Sequence, residues 1–143
     1  MILRLLPFIS IFIVTACSWL PTGKGKGDHA RYFNTQVKPV LQQHCLQCHN
    51  GSLPPPALNL ATKATAFTRN ASGREYILPR APSRSLLITA VQRGGTHAKM
   101  MSRTELSLTD DQIGMLREWI EDGAYWPEGH RGYLQPQASA ENP

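Results

Sequence analysis

A chain of 143 residues, 41% hydrophobic and 17% charged, is long enough for one domain and too apolar to stay disordered. Its net charge of +5 comes from basic residues scattered along the chain rather than clustered, which argues against a dedicated nucleic-acid binder. Three cysteines cannot all pair within the chain, so a disulfide-stapled mini-protein is excluded as well.

Residues 1–16 hold a single charge, Arg4, ahead of an apolar stretch that ends at Ala16. This is the pattern of an export signal, and it is shorter than the roughly 20 apolar residues of a membrane span. The stretch closes on Val14-Thr15-Ala16-Cys17. That ending resembles the lipobox of bacterial lipoproteins, which implies that Cys17 becomes a lipidated N-terminus. An ordinary signal peptide, or an uncleaved anchor that happens to contain a Cys, is the alternative. Lipidation also accounts for the odd cysteine. In the lipoprotein family, Ser rather than Asp after the Cys goes with outer-membrane sorting, and Ser18 follows here. Cleavage before Cys17 removes 16 of 143 residues and one positive charge, leaving 127 residues with a net charge of +4. Pro21, Gly23, Gly25 and Gly27, interleaved with Lys24 and Lys26, read as a flexible tether over residues 17–28. The domain is expected over residues 29–130 and a C-terminal tail over 131–143.

Phe33, Val37, Val40 and Leu41 recur at helical spacing. Pro39 should start or kink this helix, which then runs into Cys45-Leu46-Gln47-Cys48-His49. C-x-x-C-H is the attachment signature of c-type haem. Two thiols three residues apart lie on one face of a helical turn, where both reach one haem edge. The adjacent imidazole then meets the iron. Cys45 and Cys48 would form the thioethers and His49 would be the proximal ligand. Three other uses of the pair are open. A thiol–disulfide oxidoreductase needs a βαβ context that the flanking sequence lacks. A structural zinc site needs four N or S ligands, and no second C-x-x-C is present. The two cysteines could also form a small disulfide. An export signal favours haem, because bacteria attach c-type haem outside the cytoplasm.

Residues 50–82 are loop-rich, with Pro54-Pro55-Pro56, Gly73 and Pro79. They carry no catalytic triad, phosphate loop or paired-carboxylate signature. Phe67 and Tyr76 read as core or haem-pocket wall. Leu86, Leu87, Ile88 and Val91 predict a short helix capped by Ser83 or Ser85. Thr109-Asp110-Asp111-Gln112 has the form of a capping box, followed by an apolar stripe of Ile113, Leu116, Trp119 and Ile120. Gly123 is placed as the stop. Gly114, inside this helix, either allows a close crossing or is incidental.

These residues resemble the planctomycete-type cytochrome c domain. The shared pattern is Val37-Lys38-Pro39-Val40-Leu41, then C-x-x-C-H, then Leu58-Asn59-Leu60. It continues with Pro82, Ser85-Leu86-Leu87, Leu108-Thr109, Gln112-Ile113, Leu116, Trp119-Ile120, Gly123-Ala124 and Trp126-Pro127. The resemblance runs from Phe33 to Pro127. It implies a mainly α, cytochrome c-like fold in which N- and C-terminal helices cross beside one covalent haem c. It also implies a distal Met in a Met-Pro-Pro segment, about seven residues before the Leu that precedes the helix cap. That Leu is Leu108, which points to Met101 within Lys99-Met100-Met101-Ser102-Arg103, a segment without the prolines. Met100 is the runner-up and His97 the main competitor. Adjacent residues of an extended segment point to opposite sides, so one of the two methionines would face the iron.

The function implied is a monohaem electron carrier rather than an enzyme, with His/Met-ligated iron cycling between Fe(II) and Fe(III). It would sit on the periplasmic face of a bacterial membrane through its lipid anchor. Two propionates would lower the mature charge from +4 to about +2, mildly favouring an acidic redox partner. The alternatives are a haem enzyme or ligand sensor with an open sixth position, and a redox subunit of a larger membrane oxidoreductase.

Overall fold

Pro39 has no N–H to give and would break an ordinary helical ladder. The structure, a computed structural model describing residues 26–51, 58–92, 95 and 106–136, carries the helix through it. Helix α1 (Lys26–Tyr32) passes into a π-helical segment, Phe33–Val37, and then into α2 (Lys38–His44). The Lys38 N–H donates to the Phe33 carbonyl, a five-residue reach that widens the coil. Pro39 then falls in the first turn of α2, where its missing donor costs little. The helix therefore does not start at Pro39, and residues 26–28, expected as tether, already belong to α1. Phe33, Val37 and Leu41 are fully buried and Val40 packs at the edge of the core.

One further turn, α3 (Lys63–Ala66), lies inside the loop-rich region, closed by a capping box between Thr62 and Thr65. Helix α4 (Leu86–Val91) follows a 3-10 turn over Pro82–Arg84. Ser85 occupies its N-cap position but makes no cap bond. Its fully buried hydroxyl instead accepts the Leu78 N–H at 2.9 Å and donates to the Ala81 carbonyl at 3.1 Å. Ser83 is exposed within the 3-10 turn. The serine predicted as a cap thus stitches the preceding loop together.

The last helix, α5 (Asp110–Glu121), begins as its sequence dictates. The Gln112 N–H donates to Thr109 Oγ1 at 3.2 Å and the Thr109 N–H donates to Gln112 Oε1 at 2.9 Å. It ends in a Schellman arrangement, with the Gly123 N–H on the Ile120 carbonyl and the Ala124 N–H on the Trp119 carbonyl. Gly123 has φ +102°, a left-handed conformation that disfavours a side chain. A Cβ at Gly114 would meet nothing within 4 Å among the described residues, so no close crossing requires that glycine there.

The N-terminal helical run packs on α5. Tyr32 Oη donates to Glu118 Oε2 at 3.0 Å. Phe33 lies 6.1 Å from Trp119 and 4.9 Å from Trp126 between ring centroids. Both indoles are satisfied, Trp119 on the Tyr125 carbonyl and Trp126 on the Gly132 carbonyl. Each such ring buries on the order of 200 Å², about 5 kcal/mol of hydrophobic driving force before ordering costs. The domain does not stop where its tail was expected. Leu134 is buried, its N–H donates to the Ala61 carbonyl at 2.9 Å, and Gln42 Nε2 donates to the Gln135 carbonyl at 2.7 Å. The chain is mainly helical. Among the described residues the extended pairing is one isolated antiparallel bridge, Arg69 with Glu75. No helix among them is long and apolar enough to cross a membrane.

Candidate functional site

Helix α2 delivers its last residue, His44, directly to the C-x-x-C-H run. The ladder then tightens into one separate turn. The Cys48 N–H donates to the Cys45 carbonyl at 3.2 Å and the His49 N–H to the same carbonyl at 2.9 Å. Leu46, fully buried, anchors this turn in the core, while Gln47 and Cys48 are exposed. Three-residue spacing on a helical turn places Cys45 and Cys48 on a common side, and the two thiols are not bridged to each other.

The thiols differ in environment. Cys45 is 6% exposed and belongs to the hydrophobic core. Burial pushes its thiol up to about 12, and the neighbouring Cys48 adds in the same direction. A thiol so far above neutrality is no nucleophile at physiological pH. That weighs against thiol–disulfide exchange at Cys45, as does the absence of a βαβ unit among the described residues.

The raised value has a stability consequence in the haem-free chain. Unfolded, Cys45 loses its proton near 9.0; folded, it keeps it to about 12. The unfolded state therefore binds fewer protons in that window, and stability must fall as pH rises through it. The contribution is complete below the unfolded value and disappears progressively toward the folded one. Urea unfolding of haem-free protein should show wild type losing on the order of 1 kcal/mol relative to Cys45→Ala between about pH 8 and pH 10. Parallel profiles for the two proteins would contradict the burial of this thiol.

His49 is held from behind. Its Nδ1 lies 3.2 Å from the Leu58 carbonyl oxygen. A carbonyl only accepts, so Nδ1 carries a proton, which leaves the lone pair of the ring's neutral form on Nε2. This is the arrangement that orients an imidazole for a metal and raises its basicity. The returning segment is fixed by the Leu60 N–H on the His49 carbonyl at 2.7 Å and the Ala61 N–H on Asn59 Oδ1 at 2.9 Å. Gly51, at φ +84°, makes room for it: a Cβ there would sit 2.6 Å from Asn59 Nδ2. Leu58-Asn59-Leu60, part of the sequence pattern, thus has a stated role as the support of the histidine.

Sequence reasoning misses His44. It lies on the buried stripe, three residues after Leu41 and eleven after Phe33, and a polar residue at such a position is the available signal. His44 is 9% exposed. Its Nδ1 lies 3.0 Å from the Leu106 carbonyl and its Nε2 3.3 Å from Gln112 Nε2.

The donor set fits a covalent haem: two thiols on one turn and, next to them, an imidazole whose distal nitrogen is made the acceptor. Among the described residues no group of three His, Cys, Asp or Glu side chains is arranged to hold a bare metal ion. Met101, Met100 and His97 lie outside the described residues, as do Cys17 and the whole of residues 1–25. Comparison with protein-family models, with curated proteins and with solved structures finds no match.

Proposed function

We propose that this protein is a monohaem c-type cytochrome that carries single electrons outside the cytoplasm. The observation that carries the proposal is the Cys45–His49 turn, with the His49 ring held by the Leu58 carbonyl. The packing of the N-terminal helical run on α5 through Phe33 and Trp119 supports a cytochrome c-like fold. Cys45 and Cys48 would add their S–H groups across the two vinyl groups, forming two thioethers. His49 would be the proximal ligand and Met101 the distal one, with Met100 as the alternative. Bound haem supplies reversible one-electron chemistry at iron, and a His/Met pair raises its potential. The chain's own work is to orient His49, exclude water with Leu46, Leu58 and Leu60, and present a docking surface to a redox partner. The mild positive charge of the mature chain favours an acidic partner.

Optical spectra of the purified protein, oxidised and reduced, with and without carbon monoxide, test this function. A closed six-coordinate iron with a far-red sulfur-to-iron(III) charge-transfer band is expected. Ready carbon monoxide binding without that band would replace the carrier with a haem enzyme or ligand sensor.

The carrier would be tethered to the periplasmic face of a bacterial membrane through lipid on Cys17, with Ser18 favouring the outer of the two membranes. Cys17→Ala should release soluble protein or accumulate unprocessed precursor. A mature N-terminal peptide that starts at another residue and carries no lipid would exclude the anchor.

A further inference from the structure

The sequence pattern ends at Pro127, yet the chain beyond it is built into the domain. A 3-10 turn over Gly129–Gly132 brings Gly132 back to Trp126, whose indole N–H donates to the Gly132 carbonyl at 2.7 Å. Glu128, just before the turn, pairs with Lys63 at the start of α3. The chain leaves the turn through Tyr133 in extended conformation and reaches Leu134 and Gln135. His49 is held between two stretches: α2, which runs directly into its turn, and Leu58–Ala61, which places a carbonyl behind its ring. Leu134 and Gln135 bond to both. Gln42 Nε2, on α2, donates to the Gln135 carbonyl at 2.7 Å, and the Leu134 N–H donates to the Ala61 carbonyl at 2.9 Å. The Leu134 side chain is buried in the core, which anchors this end of the chain.

We infer that residues 128–135 form a clasp that keeps the Leu58 carbonyl on the His49 ring, with Leu134 as its positioning residue. This rests on the proposed function, in which His49 is the proximal ligand. The path from Leu134 to the ring is continuous. Leu134 holds Ala61 by its carbonyl, and the Ala61 N–H donates to Asn59 Oδ1 at 2.9 Å. The Leu60 N–H donates to the His49 carbonyl at 2.7 Å, and the Leu58 carbonyl lies 3.2 Å from His49 Nδ1. A bond of 3.2 Å is at the long end of the N–H···O range, so a small retreat of Leu58–Ala61 weakens it. The Gln42 bond holds the clasp to α2, on the other side of the ring's attachment. Leu134 acts only through Ala61 and supplies no ligand. Freeing it weakens the bond that sets the orientation and basicity of the imidazole.

The test uses full-length loaded protein in the reduced, diamagnetic state. NMR reads hydrogen exchange of the His49 Nδ1 proton and the Leu60 amide relative to the α5 amides, and voltammetry reads the reduction potential. Leu134→Ala should speed exchange of both protons on the order of tenfold relative to α5, the upper worth of one hydrogen bond. The potential should rise, because a less basic imidazole stabilises iron(III) less. Leu134→Met keeps a buried side chain and should restore both properties. Gln42→Ala removes an exposed bond, leaves the core intact, and should move both in the same direction by less. Ser85→Ala removes a buried hydroxyl bonded to Leu78 and Ala81; it should lower the melting temperature and move neither. A structural role alone would speed the α5 amides by the same factor and leave the potential unchanged in Leu134→Ala, and that result overturns the inference. Shifts in Ser85→Ala as large as those in Leu134→Ala overturn it too. Should Leu134→Ala fail to fold, unmoved properties in Gln42→Ala overturn it. Wild type without covalent haem overturns the proposed function and this inference with it. Wild type with haem, and Leu134→Ala and Gln42→Ala that match it in both properties, overturn this inference alone.

Discussion

Replacing both Cys45 and Cys48 with Ala abolishes all haem that survives denaturation and leaves a chain far less stable than the loaded protein, though still folded enough for urea unfolding; this is the largest effect expected of any substitution in the protein. A domain of this size has a net stability of only about 5–15 kcal/mol, and a bound haem would supply a large share of its apolar contacts. The single variants separate attachment from packing. Cys45 lies in the core beside Leu41 and Leu46, so Cys45→Ala should cost haem-free protein about 1–2 kcal/mol through the void it leaves. Cys48 is exposed, and Cys48→Ala should change the stability of haem-free protein by no more than about 0.5 kcal/mol. In the loaded protein each single variant should keep one thioether. Haem staining on a denaturing gel, together with urea unfolding, reads both effects. A double variant that keeps covalent haem would contradict the assignment.

Met101→Ala should have the second largest effect, and on function rather than folding. Without the thioether the far-red charge-transfer band disappears and the iron accepts carbon monoxide and cyanide readily. The reduction potential falls by on the order of 0.1–0.3 V, inside the roughly 0.8 V range that axial ligation spans. Met100→Ala is the control and should keep band and potential. If the two results are exchanged, the ligand moves by one residue and the carrier survives. If both variants keep a closed site while His97→Ala opens it, the distal ligand is an imidazole, and the potential should lie lower from the start.

The elements legible in the sequence are those whose signals are local. The Thr109/Gln112 capping box, the stripe of Leu116, Trp119 and Ile120, and the Gly123 stop all appear at their expected places. Each depends on neighbours within one or two turns. Pro39 misleads because a single proline says only that a donor is missing. Whether the chain breaks or widens into a π-helical segment depends on what Phe33 and Val37 gain by staying on the buried side. Ser85 stands at a cap position, but its bonds go to Leu78 and Ala81, partners the loop brings to it. Leu134 looked like tail because its contact, the Ala61 carbonyl, is more than seventy residues away in sequence.

The candidate site divides in the same way. Cys45, Cys48 and His49 are legible because their spacing is itself the chemistry. The Leu58 carbonyl behind His49 is not, since a backbone acceptor leaves no trace in residue identity. The contrast between buried Cys45 and exposed Cys48 is also hidden in a motif that writes them alike. His44 is the intermediate case: its place on the apolar stripe is readable, but its partners at Leu106 and Gln112 come from the distant α5 region.

The most direct test of a covalent haem on this turn is the mass of the proteolytic peptide that contains Cys45 to His49. It should be taken from full-length protein exported by a host able to attach c-type haem, after extraction with acidified acetone. Retention of one haem on that peptide, with both cysteines resistant to alkylation, is the predicted result. A peptide of unmodified mass whose cysteines alkylate freely would contradict it.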